Sequence, residues 1–304
     1  MFQPKCVILF GAGASHACRS CMPHPPPLGS ELLKELRAFQ PLVWRGLGAL
    51  NDSNAQFEST MDVRISEKID IVPYLKSLGE YFALFHADDD DLYARLSRSL
   101  KNGLMSKDIV FASLNYDLLL DRAMLRELGG VNYAEDGKSP HLIKVHGSCN
   151  WPTSHSNVVA PSLSVTMDGD GNGSFDFDPK PCFEPPEILS SMISKDISPP
   201  VMRVYSSRKP MPIGESYLKK RENQFKTMVA GAKRVIVVGS RINFGDDHVW
   251  GEISRTAANV TLVNRGEENR HFIECRGNPG DRWIDGFFEE RWREMARTAK
   301  ASYK

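Results

Sequence analysis

CVILFGAGAS, at residues 6–15, is the stretch that decides the fold of this 304-residue chain. Five apolar residues run without interruption, and a glycine turn follows them directly. An uninterrupted apolar run of this length is typical of a strand buried on both faces, and such a strand feeding a glycine turn commonly opens a nucleotide-binding sheet. We therefore predict an α/β fold with a Rossmann-like parallel sheet and helices on both of its faces.

Four further apolar runs end in small or polar residues. These runs are residues 108–112, 142–145, 234–238 and 260–263, and the residues that follow them are Asn115-Tyr116-Asp117, His146-Gly147, Gly239-Ser240 and Asn264. In an open parallel sheet, ligands bind beyond the carboxyl ends of the strands. We expect these clusters and the glycine turn to meet at one crevice. A lone Gly-x-Gly is weaker evidence, because glycines also serve tight turns.

Most of the remaining chain outside residues 151–212 is predicted to form helices. Apolar spacing predicts helices over residues 32–39, with Ser30 as the N-cap, and over 69–86, 91–100, 118–128, 217–230 and 287–304. Residues 19–28 contain four prolines and are predicted to be a loop. Residues 151–212 are rich in proline, serine and glycine, so we interpret them as an inserted irregular subdomain. Residues 1–150 and 213–304 then form the main domain.

Charge and composition exclude several classes of protein. Lys plus Arg and Asp plus Glu are both 38, so no global positive field favours non-specific binding to nucleic acid. The basic runs 203–209 and 219–221 are most simply solvated faces and otherwise the best places for a partner or nucleic-acid contact. No apolar run spans a bilayer and no leader is evident. Six cysteines are too sparse for a disulfide scaffold, which predicts a reducing cytoplasmic compartment.

The ordered clusters resemble those of the sirtuin, or Sir2-like, superfamily. They are GAGAS at 11–15, SLNYD at 113–117, KVHGS at 144–148, VVGS at 237–240 and LVN at 262–264. The resemblance spans about residues 5–265. The forms Asn-Tyr-Asp at 115–117 and His-Gly-Ser-x-Asn-Trp at 146–151 are closer to bacterial antiphage Sir2-like NAD hydrolases than to protein deacylases.

This resemblance implies a role for each matching residue. Gly11, Ala12, Gly13 and Ser15 would let the backbone approach the NAD pyrophosphate, with amides donating to its oxygens. Gly239 and Ser240 would contact phosphate or adenosine ribose, and Asn264 the adenosine ribose.

The nicotinamide end would be lined by Asn115 and Asp117, which hold the ribose and position water. His146 would act as the general base, as an imidazole suits that task near neutral pH. The chemistry of the bond agrees, because nicotinamide leaves with no added proton. The site then has to stabilise an oxocarbenium-like sugar and orient a nucleophile.

The chain departs from the deacylases in its cysteines. Deacylases carry a zinc module with two Cys-x-x-Cys pairs after the catalytic histidine, whereas here Cys149 and Cys182 are far apart and unpaired. A four-cysteine zinc site needs four nearby thiolates, so no zinc or other metal is expected. Water is then the expected acceptor. The resemblance implies an NAD glycohydrolase that depletes NAD as a defence effector.

Other functions of the whole protein remain open. The chain could be an NAD-dependent deacylase or ADP-ribosyltransferase, or a module that senses NAD or ADP-ribose without turnover. An unchecked NAD hydrolase poisons its host, so we expect a homo-oligomer or a separately encoded regulator such as an ATPase.

Single residues also carry structural alternatives. His146 could be a buried structural histidine, Asn115 an N-cap, and Asp117 a favourable charge in the first turn of the following helix. Cys18-Arg-Ser-Cys21 resembles a redox or metal pair, but coincidence is favoured, and its loop could instead be a flap that closes over NAD. Residues 168–176, DGDGNGSFD, match part of a calcium loop. Pro179 stands where a bidentate Glu belongs, which favours a glycine-rich turn between short strands.

Overall fold

The computed structural model describes residues 2–45, 57, 60, 61, 70–134, 137–151, 164–167, 173–176, 179–195, 199–204 and 214–303. The strands in this part of the chain are β1 (Cys6–Phe10), β2 (Cys21–Met22), β3 (His86–Ala87), β4 (Ile109–Ser113), β5 (Leu142–Lys144), β6 (Ser164–Met167), β7 (Gly173–Asp176), β8 (Arg234–Val238), β9 (Asn259–Val263) and β10 (Arg282–Ile284). Six of them form one parallel sheet in the order β10-β9-β8-β1-β4-β5.

This strand order creates a switch point between β1 and β8. From β1 the chain moves outward through β4 to β5, and it then returns to the other side of β1 and moves outward through β8 to β10. Counted along the chain, the order is the 3-2-1-4-5-6 of dinucleotide-binding sheets. The predicted Rossmann-like fold is confirmed. A ligand crevice is expected where β1 and β8 end side by side.

Helices cover both faces of the sheet. They are α1 (Ala12–His16), α2 (Gly29–Phe39), α3 (Pro41–Trp44), α4 (Val72–Ala83), α5 (Leu92–Ser99), α6 (Lys101–Met105), α7 (Leu119–Leu128), α8 (Pro186–Lys195), α9 (Glu215–Gly231), a π-helix (Asp247–Gly251), α10 (Glu252–Arg255), α11 (Glu267–Arg276) and α12 (Phe288–Lys300). None of the described helices is long and apolar enough to cross a membrane.

The continuous apolar sequence of β1 follows from this two-sided cover. All five of its residues are fully buried. Ile8 and Phe10 pack into one core, together with Phe288 and other residues of the helices on that face. Val7 and Leu9 pack into the opposite core, with Phe225 of α9. Successive side chains of a strand point to opposite faces, so a strand between two helical layers needs apolar residues at every position.

Most predicted elements are present, with small changes at their ends. All five predicted strands lie in the main sheet. The first long helix begins at Gly29 after Leu28, so Ser30 lies inside the helix and the N-cap prediction was wrong. The predicted loop 19–28 is irregular apart from β2, which pairs with β3 in a small antiparallel sheet.

Part of the segment predicted to be irregular is ordered. The helix α8 lies against α4, where a side chain on Gly79 would meet Pro200 at 2.5 Å and Ile193 at 3.5 Å. Trp151, Val201 and Met202 are buried in the same core as β1. The near-absence of helical structure predicted between residues 151 and 212 was therefore wrong for α8, whose buried apolar residues are only Leu189 and Ile193. A glycine-rich turn between short strands was predicted at residues 168–176. Two short strands, β6 and β7, do pair there, but β7 occupies residues 173–176 of that stretch, and residues 168–172 lie outside the described residues. The boundary of an inserted subdomain stays a prediction.

Candidate active site

A cavity of about 790 Å³ opens at the switch point, beyond the carboxyl ends of the strands. It is lined by the residues that follow β1, β4, β5, β8 and β9. Every residue that the sequence analysis assigned to catalysis or NAD binding lines it, namely Gly11, Ala12, Gly13, Ser15, Asn115, Asp117, His146, Gly239, Ser240 and Asn264. A volume of several hundred Å³ is typical of small-molecule sites.

The glycines after β1 and β8 let two turns touch. Gly239 has φ +60°, and a Cβ atom there would lie 2.3 Å from the backbone nitrogen of Ala14. A Cβ atom on Gly11 would lie 2.6 Å from the Cβ of Ser240. The amides of Gly11 and Gly13 donate to the carbonyl oxygens of Val238 and Gly239 at 2.9 and 2.8 Å. These two amides therefore hold the turn after β1 against the end of β8. The expectation that amides of this turn donate to a pyrophosphate does not apply to Gly11 and Gly13.

Asn115 is held by the turn after β1. Its side-chain amide donates to the carbonyl oxygen of Gly11 at 3.0 Å and to the hydroxyl of Ser15 at 2.8 Å. The Ser15 hydroxyl lies 3.0 Å from that of Tyr93. The helix α7 begins four residues later, at Leu119, and its N-cap residue is Leu118. The N-cap interpretation of Asn115 was wrong, because its side chain points across the sheet edge toward β1.

Asp117 contributes to the local structure of this edge. Its carboxylate accepts a hydrogen bond from the backbone amide of Leu119 at 3.0 Å, which fits the structural alternative of a favourable charge at the start of α7. Burial raises the pKa of this carboxyl, and the nearby Lys144 ammonium opposes the rise. Asp117 also lines the cavity, so a role in holding the ribose stays a prediction.

A network of buried polar side chains holds the backbone that follows β4 in place. The Lys144 ammonium, fully buried, donates to the carbonyl oxygen of Asp117 at 2.6 Å and pairs with the Asp121 carboxylate at 3.2 Å. The Tyr133 hydroxyl donates to Asp121 and accepts from the Asn150 amide at 3.1 Å. The sequence analysis did not identify Lys144 as a network residue, although a lysine inside an apolar strand is a signal, because it is almost never buried unless paired.

His146 lies two residues after the end of β5 and is 5% exposed. Its carbonyl oxygen accepts the backbone amide of Arg203 at 2.8 Å, and the next residue, Gly147, has φ +84°. A Cβ atom on Gly147 would lie 2.2 Å from the carbonyl oxygen of Val201. This left-handed, crowded position requires glycine and explains the His-Gly pair.

The imidazole of His146 faces a second histidine. Its Nε2 atom lies 3.1 Å from Nε2 of His248, which belongs to the π-helix. Burial lowers the pKa of His146 well below 6.5, and repulsion by a protonated His248 and by Arg203 lowers it further. Burial and Arg203 also lower the pKa of His248, to about 4. Both rings are neutral at pH 7, so one nitrogen of the pair donates and the other accepts.

The residues after β8 and β9 are tied together at the far end of the cavity. The side-chain amide of Asn264 donates to the carbonyl oxygen of Ser240 at 3.2 Å. The indole of Trp283 in β10 donates to the carbonyl oxygen of Asn264 at 2.8 Å. Asn264 is thereby fixed at the sheet edge, where the resemblance puts the adenosine ribose.

The loop before α2 forms one wall of the cavity. Pro26, Pro27 and Leu28 line it, and Arg19 lies 3.6 Å from the Glu289 carboxylate at the start of α12. A role for this loop as a flap stays a prediction.

Cys18 and Cys21 lie at the base of this loop and are buried. A hydrogen bond with Cys21 and burial raise the pKa of Cys18 well above 9.0. Reactive cysteines have lowered pKa values, so the environment of Cys18 disfavours a redox pair and agrees with coincidental spacing.

No family model matches the chain, and no curated protein matches it. Similar solved structures include an ADP-ribose complex of a mutant Sir2 homologue, at 15% identity and a TM-score of 0.48, covering 98% of this chain and 94% of that one. A Sir2 homologue–NAD complex is 14% identical, with 98% and 90% coverage and a TM-score of 0.45. A structure described as the basis of sirtuin substrate affinity is 15% identical, with 98% and 94% coverage and a TM-score of 0.43. What the cavity does chemically has to be inferred from its own residues.

Proposed function

We propose that this protein is an NAD glycohydrolase, which cleaves the nicotinamide–ribose bond with water and releases nicotinamide and ADP-ribose. The observation that carries this proposal is the presence of the Asn115 amide and the His146 imidazole in one cavity at the switch point of a dinucleotide-type sheet. The two residues are far apart in the chain and come from different strand ends.

The protein does not have to protonate the leaving group, because nicotinamide departs without an added proton. Water attacks C1′ of the ribose as the C–N bond breaks, and the electron pair of that bond returns to the nicotinamide ring nitrogen. One water proton has to be removed. His146 is neutral at pH 7, since its pKa is lowered, and it can take this proton in the tautomer whose Nε2–H donates to His248.

Asn115 is suited to orient the attacking water or a ribose hydroxyl. Both hydrogens of its amide nitrogen are used by Gly11 and Ser15. Because the acceptor at Gly11 is a carbonyl oxygen, the nitrogen of the amide has to face it and the orientation of the group is determined. The remaining carbonyl oxygen can only accept, which is what a hydroxyl or a water requires of its partner.

Water is favoured over a peptide acceptor by the cysteines. Only Cys149, Cys182 and Cys275 follow His146 in the sequence, one fewer than a four-thiolate zinc module needs. Burial also raises the pKa of Cys149 to about 12, which keeps the thiol protonated. The module that shapes the peptide cleft of deacylases therefore has no counterpart among these residues.

The biological role in the proposal comes from the resemblance to bacterial antiphage NAD hydrolases. We propose a cytoplasmic effector that depletes NAD when triggered. Homo-oligomerisation or a separately encoded regulator such as an ATPase would hold it inactive at rest.

The test is incubation of the purified chain with NAD and chromatographic measurement of nicotinamide, alone and with candidate activators. Asn115→Ala and His146→Ala are expected to lower turnover at least about 100-fold while circular dichroism stays unchanged. Asn223→Ala and His271→Ala are matched controls, because both residues are exposed and lie outside the cavity. Strict dependence on an acylated peptide would favour a deacylase. NAD binding without turnover under every condition would favour a sensor.

A further inference from the structure

Three residues form a cluster beside the cavity that the proposed reaction uses only in part. His146 follows β5, Asp246 lies in the loop after β8, and His248 belongs to the π-helix. One ligand atom from each residue lies within 4.8 Å of the other two. Nε2 of His146 lies 3.1 Å from Nε2 of His248. Of the three, His146 and Asp246 also line the cavity.

The spacing of the two imidazoles fits a shared metal ion. Zinc binds histidine nitrogen at about 2.0–2.1 Å with tetrahedral angles, so two nitrogens on one ion lie about 3.3 Å apart. The observed 3.1 Å is a few tenths of an ångström from that value. The Asp246 carboxylate offers an oxygen within 4.8 Å of a nitrogen of each imidazole, and it would have to move closer to bind the same ion.

The ligand set is that of an open metal site. Two imidazoles and one carboxylate are common ligands of zinc and other first-row divalent metals, and sites of this kind keep positions for water or a ligand. His146 and Asp246 both line the cavity, so an ion held by them would lie next to it.

The surrounding charges permit a cation. Arg203 contributes a positive field at both histidines. Its guanidinium is paired with the Glu222 carboxylate at 2.6 Å, which offsets that charge. The Asp247 carboxylate acts on His248 with the opposite sign. The cluster therefore contains one carboxylate, Asp246, and has a second, Asp247, beside it, while Glu222 offsets the charge of Arg203.

We propose that His146, Asp246 and His248 bind one divalent transition-metal ion of the zinc class. The sequence analysis expected no metal, and this site is separate from any cysteine module. A metal here occupies a nitrogen of His146, so it lowers the turnover of NAD. This consequence rests on the proposed function, whereas the binding itself does not.

The experiment is titration of the metal-free 304-residue chain with Zn²⁺ by calorimetry and with Co²⁺ by absorption spectroscopy. One ion per chain is expected, with a Co²⁺ spectrum that lacks a strong thiolate charge-transfer band. His248→Ala and Asp246→Asn are each expected to weaken binding at least about 10-fold. His16→Ala, a cavity histidine outside the cluster, is expected to leave the affinity unchanged.

Two further variants keep the result interpretable. The exposed pair Cys275 and His271, 3.4 Å apart, could bind Zn²⁺ at the surface, so the titrations are made in a Cys275→Ser background. Should His248→Ala fail to fold, His248→Gln retains a polar group beside His146 and still lacks an imidazole.

The outcomes separate the site from the proposed activity. Asn115→Ala is expected to abolish NAD turnover and to keep Zn²⁺ binding. Wild type that binds Zn²⁺, but in its metal-free form cleaves no NAD with any candidate activator, would end the proposed function alone. Absence of stoichiometric binding, or equal affinity in wild type, His248→Ala and Asp246→Asn, would overturn the metal site whatever the activity.

Discussion

The side-chain amide of Asn115 donates to the hydroxyl of Ser15 at 2.8 Å, although 100 positions separate the two residues. This bond links the residues that follow β4 to the turn that follows β1, and its partner bond to the Gly11 carbonyl oxygen makes the same link at 3.0 Å. Each of the two amide hydrogens therefore has a protein acceptor. The side chain is positioned before any substrate arrives, which is the condition for efficient orientation of a reacting group.

Ser15→Ala is expected to lower kcat for NAD cleavage about 10-fold, with a smaller change in KM, because Asn115 keeps only one of its two anchors. Steady-state nicotinamide release measures both constants. Ser97→Ala is the matched control, since Ser97 is also fully buried but lies outside the cavity. A kcat for Ser15→Ala equal to that of wild type would contradict the positioning role.

Gly239→Ala is expected to destabilise the protein by at least about 3 kcal/mol, because the new Cβ atom would meet the Ala14 backbone nitrogen at 2.3 Å. Gly129→Ala is the control that measures the cost of backbone strain alone. Gly129 has a similar φ of +76° and nothing within 4 Å of the added carbon, so its cost is only the left-handed strain of about 1–2 kcal/mol. Urea unfolding of the two variants gives the difference. Equal losses would mean that the two turns do not touch.

Lys144→Met is expected to lower the free energy of unfolding by about 3–5 kcal/mol, because the Asp121 carboxylate is then buried without its cation. Adding Asp121→Asn to Lys144→Met removes the stranded charge and is expected to recover part of the loss. Denaturant titration of wild type, single and double variants forms the test. A double variant less stable than Lys144→Met would show that charge compensation is not what the pair contributes.

The fold was predictable where burial imposes an unbroken apolar pattern. β1 and β8 match the predicted ranges, because both strands lie between two helical layers and need apolar side chains on both faces. β10 was missed, since a three-residue edge strand, Arg282–Ile284, has only one fully buried position and carries no pattern. α8 was missed for a related reason, as it buries only two residues.

The sequence predicted those residues of the site that closely follow strands, because the carboxyl ends of parallel strands lie at one edge of the sheet. Asn115 and His146 line one cavity because parallel strands end at one edge, and their catalytic roles stay predictions. His248 was not identified, because it lies in a π-helix several residues after β8 and follows two other polar residues, Asp246 and Asp247. Only the three-dimensional path of that loop brings its ring to His146.

The stability of the protein is expected to fall as the pH drops from 6.5 toward 4, in part through His141. Burial, together with the positive charge of Arg221, lowers the pKa of His141 to about 4, so the unfolded chain binds a proton in this range that the folded protein does not. The contribution of His141 is therefore complete above pH 6.5 and is lost on acidification. His141→Asn keeps a donor toward the carbonyl oxygen of Asn132 and removes the titration. Thermal unfolding between pH 4 and 7 should show a shallower slope for this variant. An unchanged slope would exclude His141 as a source.

NAD cleavage is expected to keep its full rate below pH 6.5, because the base has to be neutral and the pKa of His146 is lowered. Burial is the main cause, and the positive charges of His248, when it is protonated, and of Arg203 act in the same direction. Arg203→Met combined with Glu222→Gln removes one of those charges without leaving a carboxylate beside an absent cation. The pKa of His146 then rises, so the acid limb of the kcat/KM profile moves to higher pH in the double variant. A wild-type limb at 6.5 or above, or a limb that moves to lower pH in the variant, would show that the group that must be neutral for turnover is not His146.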